Sequence, residues 1–345
     1  MRMRRWKGML LMLALVGVLT GCGSGGQQAG SSDGQGPGGQ EALTKISVRL
    51  DWTANAIHAP IYTALEKGFY REAGLDVTIN PSTYQDDVLK FVDEGRDTIG
   101  IYYQSSVIKA PSRGYNVRVV GTYVQHPLNV ILVDKRAGIE SLKDLEGKVV
   151  GFTEDPTPKG QLSTTAASLK VMMEKAGADF TKVKLMNVGS SGVQALATQQ
   201  VAALGGVYEY HEKYLLDREG IPTEVFRLHE HGAPDFYELV LVASEENAKR
   251  SDVIDAFIKA TGQGVEYVRE HPEEAVDIIL AAAPTLKRDL VEYSLPVVLP
   301  LFQEEGQPFG YQSRARWESA AAWMAEIGQI EEVPDLDQLL VNPAP

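Results

Sequence analysis

The sequence predicts an α/β fold in which one strand–helix unit is inserted into another. Three observations carry this. Short alternating apolar runs recur between segments of helical spacing. Two such series are separated by apolar crossings at residues 130–133 and 238–242. Everything after residue 244 has helical patterning alone. Strands that alternate with helices imply a doubly wound sheet.

Taken in order, residues 45–50 alternate, with Ile46, Val48 and Leu50 on one face and Ser47 and Arg49 on the other, and read as a strand. Pro60 then stands where a helix would begin, Ile61, Leu65 and Phe69 follow at steps of four, and Gly74 ends the element. Residues 75–79 form a second strand. A helix is expected over 86–94, and further strands over 98–101 and 117–120. Between the two crossings, strands at 148–152, 183–188 and 202–206 alternate with helices at 160–176 and 191–200. Past residue 244, Ser251-Asp252 caps one helix, His271-Pro272 opens another and residues 314–327 form a last one. The expected first lobe is therefore 43–132 with 243–345, and the second is 133–242. No internal repeat is present.

The first residues stand outside this fold. Arg2, Arg4, Arg5 and Lys7 precede an apolar run at 9–19, and Leu19-Thr20-Gly21-Cys22 closes it, the pattern of a secretory signal over residues 1–21. The run is too short for a membrane span of about 20 residues. The LTGC sequence matches the bacterial lipobox, so Cys22 is expected to carry lipid. Residues 22–42 then form a Gly/Ser/Gln tether with a reach of roughly 25 Å. Removing residues 1–21 takes four positive charges from a net charge of −13, leaving −17. Such acidity repels phosphates and excludes nucleic acid as a partner. A single cysteine excludes disulfides and thiolate metal clusters. There is no GxxxxGK[ST] loop, HExxH or GxSxG elbow, and the His229/His231 pair reads as a solvated loop. No cofactor and no metal are expected. Two α/β lobes joined by two crossings, exported and tethered, are the parts of a solute-binding protein that closes like a hinge.

Residues 50–77, LDWTANAIHAPIYTALEKGFYREAGLDV, resemble the opening of the thiamine-pyrimidine-precursor family. The K-G-[FY]…G-L-D portion is shared with sulfonate- and nitrate-binding relatives, and Leu-Asp-Trp with His58 is narrower. QHPLN at 125–129 and GAPDFYELVL at 232–241 are similar to segments of bacterial pyrimidine-binding lipoproteins, and IESLKDLEGKVVG at 139–151 is generic to the superfamily. The resemblance spans about residues 45–330. It implies a type II two-lobed periplasmic binding protein fold with two inter-lobe crossings. It also implies delivery of a 4-amino-pyrimidine thiamine precursor, of formylamino or hydroxymethyl type, to an ABC importer permease and its ATPase. The alternatives are a receptor for another flat heterocycle such as riboflavin, or for an alkylsulfonate. The fungal branch is an enzyme that makes the pyrimidine from its own histidine and pyridoxal phosphate and carries a cysteine-rich iron motif. Here Cys22 is the only cysteine, so the resemblance implies a binding protein and not an enzyme: a monomer, lipid-anchored on the outer face of the cell membrane.

Ligands of open α/β sheets bind beyond the carboxyl ends of the strands. Trp52, Asn55 and His58 follow the first strand there; the indole offers a face for stacking and the other two offer hydrogen bonds. Tyr103 and Gln104 follow the strand at 98–101, and Gln125, His126 and Asn129 precede the first crossing. On the second lobe, Ser190 begins a helix, and Tyr208 and Glu212 follow the strand ending at Gly206. A carboxylate there accepts from an exocyclic amine and repels a sulfonate. Asp235 and Tyr237 precede the return crossing. These thirteen residues are the expected ligand contacts.

Overall fold

The computed structural model describes residues 42–83, 85–342 and 344. The expected signal segment, the expected lipid site at Cys22 and all of the expected tether except Ala42 lie outside the described residues. Ten strands form two five-stranded sheets. The strands are β1 (Thr44–Arg49), β2 (Leu75–Asn80), β3 (Ile99–Tyr103), β4 (Val117–Val124), β5 (Asn129–Asp134), β6 (Val149–Phe152), β7 (Lys184–Asn187), β8 (Ala203–Tyr208), β9 (Thr223–Arg227) and β10 (Leu239–Ser244). The first sheet has the order β2-β1-β3-β10-β4 and the second β7-β6-β8-β5-β9. In each, four strands run in one direction and a strand that has just crossed from the other sheet enters antiparallel, β10 between β3 and β4 and β5 between β8 and β9.

The expected boundaries at 132/133 and 242/243 therefore need correction. They cut through β5 and β10, each of which belongs whole to one sheet. The crossings are the irregular segments just before them, residues 125–128 and 228–238. NVILVD and LVLVAS are nearly continuous apolar runs because both faces of a central strand are covered. Such a run carries no mark of which sheet it joins.

Apolar side chains cover both faces of both sheets. Ile46, Val48, Ile99 and Leu241 pack under the helices Ser251–Glu270, Pro272–Ala282 and Arg288–Val298. On the other face, Val240 and Val242 meet Val88, Leu89, Trp317 and Trp323. The second sheet is packed by Leu169, Met172 and Met173 on one side and by Leu196 and Leu216 on the other. At Gly264, helix Ser251–Glu270 lies directly on the Pro60 carbonyl, so a Cβ there would overlap it.

Several elements differ from expectation in extent. The helix expected at 160–176 begins at Thr164, because Ser163 accepts from Ala166 N and caps it, while Pro158–Gly160 is a 3-10 turn. The helix expected at 191–200 is the shorter Gly192–Ala197. β9 was not foreseen: TEVFR is short and largely polar.

Candidate functional site

A cavity of about 410 Å³ opens between the carboxyl ends of the two sheets. From the first sheet it receives the loop after β1, residues 51–57, together with Tyr103 and Leu239. From the second it receives Tyr208 and the turn that follows, with Leu128 and Glu238 coming from the crossings. Leu286, Leu290, Val291 and Ser294, on and just before helix Arg288–Val298, complete the wall. Neither Lys nor Arg is among the lining residues.

The loop after β1 is built by its own hydrogen bonds. Asn55 caps a 3-10 turn at Ala56–His58, its side chain accepting from Ile57 N, and its own N–H donates to His58 Nδ1 at 3.2 Å. A ring nitrogen that accepts from a backbone N–H carries no proton, so the imidazole proton sits on Nε2 and is donated to Asp51 Oδ1 at 2.8 Å. Tyr103 donates to the other oxygen, Oδ2, at 3.4 Å. His58 is fully buried and both its nitrogens are engaged. It orients Asp51 toward the cavity and does not line it.

Across the cavity, Gly205-Gly206 lets β8 press against β6: a Cβ at Gly205 would meet the Phe152 ring, and Gly206 has φ +73° with its carbonyl accepting from Thr153 Oγ1. The chain then enters a π-helical turn, Glu209–Lys213, a rare geometry frequent at functional sites. It presents Tyr210, His211 and Glu212 in succession. The Tyr208 and Tyr210 rings lie 5.3 Å apart. Glu212 Oε2 accepts from Tyr208 N at 2.8 Å and Oε1 is paired with His211 Nδ1 at 2.8 Å. That bond raises the His211 imidazole above its ordinary range, burial opposing it.

Glu238 is the third carboxyl of the cavity. Its Oε2 accepts from Leu128 N at 2.9 Å, so it ties one crossing to the other. Burial pushes its carboxyl up to about 7; the Leu128 N–H opposes the rise and the Asp51 charge adds to it. Burial likewise raises the phenols of Tyr103, Tyr208 and Tyr210, so all three stay neutral hydrogen-bonding groups.

At the mouth the lobes touch. Ser294 Oγ lies 2.7 Å from the Tyr210 carbonyl, the Tyr214 and Tyr293 rings are 5.2 Å apart, and Arg218 meets Asp289 at 3.0 Å.

Away from the cavity the crossings carry a charged cluster. His126 Nδ1 lies 2.9 Å from Asp235 Oδ1, and the His126 and His229 rings stack at 5.0 Å. Donor atoms of His126, His229 and Asp235 lie within 4.8 Å of one another. The Arg316 guanidinium already supplies the positive charge. It pairs with Asp235 Oδ1 at 3.0 Å and Glu304 at 2.6 Å, donates to the Gln125 carbonyl and lies over the Tyr237 ring at 4.2 Å. Burial raises the Asp235 carboxyl, but the His126 bond and the Arg316 charge outweigh it and hold it below the usual carboxylate range.

Of the thirteen expected contacts, Trp52, Asn55, Tyr103, Tyr208 and Glu212 line the cavity. The others do not, for stated reasons. His58 is spent on Asp51 and Asn55. Gln104 is buried with its Oε1 accepting from Tyr237 N, and Gln125 bonds Thr122 and the Tyr311 carbonyl. His126 and Asp235 belong to the Arg316 cluster. Asn129 pairs with Tyr208 in the ladder between β5 and β8, Ser190 is exposed in a 3-10 turn, and Tyr237 is buried against Trp317. Asp51, Tyr210, Glu238 and the wall from helix Arg288–Val298 were not foreseen. Asp51 stands inside the Leu-Asp-Trp triplet, and only its neighbour was chosen.

A model of the "NMT1/THI5 like" family matches residues 55–275. The chain belongs to that family. It is 32% identical over 297 residues to the formylaminopyrimidine-binding protein of Halalkalibacterium halodurans, covering 85% of this chain and 88% of that protein. It is 25% identical over 301 residues to a 4-amino-5-hydroxymethyl-2-methylpyrimidine phosphate synthase of Legionella pneumophila, covering 87% and 92%. Among solved structures, the periplasmic aliphatic sulphonate binding protein SsuA of Escherichia coli superposes with a TM-score of 0.66 at 16% identity, over 86% of this chain and 92% of that one. That likeness establishes the two-lobed periplasmic binding protein fold in this family member.

Proposed function

We propose that the chain is the solute-binding component of an ABC importer and captures a 4-amino-pyrimidine thiamine precursor between its lobes. The observation that carries this is the cavity itself. Trp52, Tyr103, Tyr208 and Tyr210 line it together with Asp51, Glu212 and Glu238, without Lys or Arg. Aromatic faces suit a flat ring, and carboxylates accept from an exocyclic amine. A cavity lined by acids without Lys or Arg has no cation to hold a sulfonate. The likeness to a formylaminopyrimidine-binding protein supports the ring class. The LTGC sequence supports a lipid anchor at Cys22 on the outer face of the membrane, with the permease and its ATPase as partners.

Other family members are named as synthases. In this chain the only cysteine is Cys22, and His58 is buried with both nitrogens engaged. Those residues do not fit chemistry that needs cysteine ligands for iron and consumes a histidine, so no catalytic step is assigned.

The test is calorimetric titration of the purified protein with formylaminopyrimidine, hydroxymethylpyrimidine, riboflavin and taurine, with mass spectrometry of any co-purifying small molecule. Pyrimidine binding alone is the expected result. Tight binding of taurine with no pyrimidine would sink the reading, and riboflavin binding instead would move the chain to another heterocycle. Mass spectrometry of the N-terminal peptide checks the lipid on Cys22.

A further inference from the structure

Three carboxyl groups share one cavity, and their partners divide them unequally. Asp51 has a donor on each oxygen, His58 Nε2–H and the Tyr103 hydroxyl. Glu212 has Tyr208 N on one oxygen and His211 on the other. Glu238 has only Leu128 N, on Oε2, and Oε1 has no partner among the described residues. The groups that face it are Asp51 from the loop after β1, Tyr103 from β3, Tyr208 from β8, and Tyr210, His211 and Glu212 from the π-helical turn. Three anions together in a desolvated space are costly, and the one with fewest donors is the one that keeps its proton.

The geometry points to Glu238 as a solute contact that acts as a neutral carboxylic acid, donating its Oε1 proton to a ring nitrogen while Oε2 still accepts from Leu128 N. This rests on the pyrimidine reading above. It divides the recognition chemistry: the amine of the ring meets the acceptor oxygens of Asp51 and Glu212, and an unsubstituted ring nitrogen, which only accepts, meets the protonated Glu238. It also couples capture to the crossings, since the same carboxyl joins residues 128 and 238. The buried carboxyl titrates at about 7. Its folded-state value is raised, so the donor is present below that pH and lost above it. When the ring binds above that pH, a proton comes from solvent to Glu238.

The experiment is calorimetric titration of hydroxymethylpyrimidine into the wild type, Glu238→Gln and Glu238→Ala at about pH 6.5 and about pH 8.5. In the wild type, loss of the protonated form weakens apparent affinity by about 25-fold between the two, and close to one proton is taken up per ring at the higher pH. Glu238→Gln keeps a donor and an acceptor in place. It should weaken binding by about threefold at the lower pH and lose the wild-type pH dependence, leaving only any titration of the ring itself, so that it binds more tightly than the wild type at the higher pH. Glu238→Ala should lose about tenfold or more at the lower pH. Equal wild-type affinity at both pH values, the same slope in Glu238→Gln, or affinity that rises with pH would overturn the inference while leaving pyrimidine binding intact. Absence of binding at both pH values would instead overturn the proposed solute class, and this inference with it.

Discussion

On the cavity side of the two crossings, Leu128 and Glu238 meet through one hydrogen bond in a space without Lys or Arg among its lining residues. Away from the cavity, Arg316 serves Gln125, Asp235 and Glu304 at once. The same short segments thus hold a donor-poor site on one side and a charge-compensated staple on the other. A carboxyl short of donors is free to exchange a proton or accept a new partner, whereas one held by His126 and Arg316 fixes geometry. On the proposed function, recognition and rigidity are separated here by the direction in which neighbouring side chains point.

Replacing Arg316 tests that separation most strongly. Its side chain is only 15% exposed, and truncation to Ala leaves partly buried acids and carbonyls without their cation. We expect about 3 kcal/mol less stability, read as a lower urea midpoint, with pyrimidine affinity changed far less. If Arg316→Ala keeps its stability but loses binding by more than tenfold, the two sides act as one. Trp52→Ala should do the reverse. Stacking is worth about 1–3 kcal/mol by alanine substitution, so binding should weaken by roughly 5- to 150-fold, a larger effect than on the urea midpoint. An unchanged dissociation constant would remove Trp52 from recognition.

Much of the fold was legible because alternation and helical spacing report burial directly. The site was less so, and residues 237 and 238 show why. The segment GAPDFYELVL marked the region, but successive side chains of an extended chain point to opposite sides. Tyr237 packs on Trp317 and Glu238 faces the cavity. One position separates the residue expected as a contact from the one that lines the cavity. At 51 and 52 both side chains line the cavity, and Asp51 is the one that the Leu-Asp-Trp expectation leaves out. His58 differs in kind: a histidine after a strand end reads as a ligand contact ahead of a helix-start cap, and only the two bonds to its nitrogens show it turned to Asn55 and Asp51. Helix Arg288–Val298 lies over two hundred residues from Trp52, and no local pattern announces that it closes the same cavity.

Smaller effects sharpen the comparison further. Asp51→Asn keeps the size of the side chain but removes the charge that His58 and Tyr103 serve, and charge-assisted bonds are about twice as strong as neutral ones. About tenfold weaker pyrimidine binding is expected by calorimetry. No change would mean that Asp51 only holds the loop. Ser294→Ala removes one hydroxyl at the mouth, worth about 1 kcal/mol, and should speed ligand release about fivefold in stopped-flow experiments. The smallest effect is acid sensitivity. Because Asp235 has a lowered carboxyl pKa, its contribution to stability is present above the unfolded carboxylate pKa and is lost as pH falls through the folded value. Wild-type stability should hold at about pH 5 and drop below about pH 4, and Asp235→Asn should flatten that drop in a pH series of urea midpoints.

The π-helical turn at Glu209–Lys213 has a consequence for how the cavity of this family's fold diversifies. A wide turn holds more residues per revolution than an α-turn, so Tyr210, His211 and Glu212 all reach the cavity although they are consecutive. Deleting one residue from this turn would tighten it and rotate those side chains relative to one another, redrawing the contact surface in a single genetic event while β8 and the following helix keep their places. Substitutions adjust such a surface one group at a time; a change of length here exchanges three together. For anyone building a sensor for a new metabolite on this scaffold, the length of that turn is a more powerful variable than the identity of any residue in it.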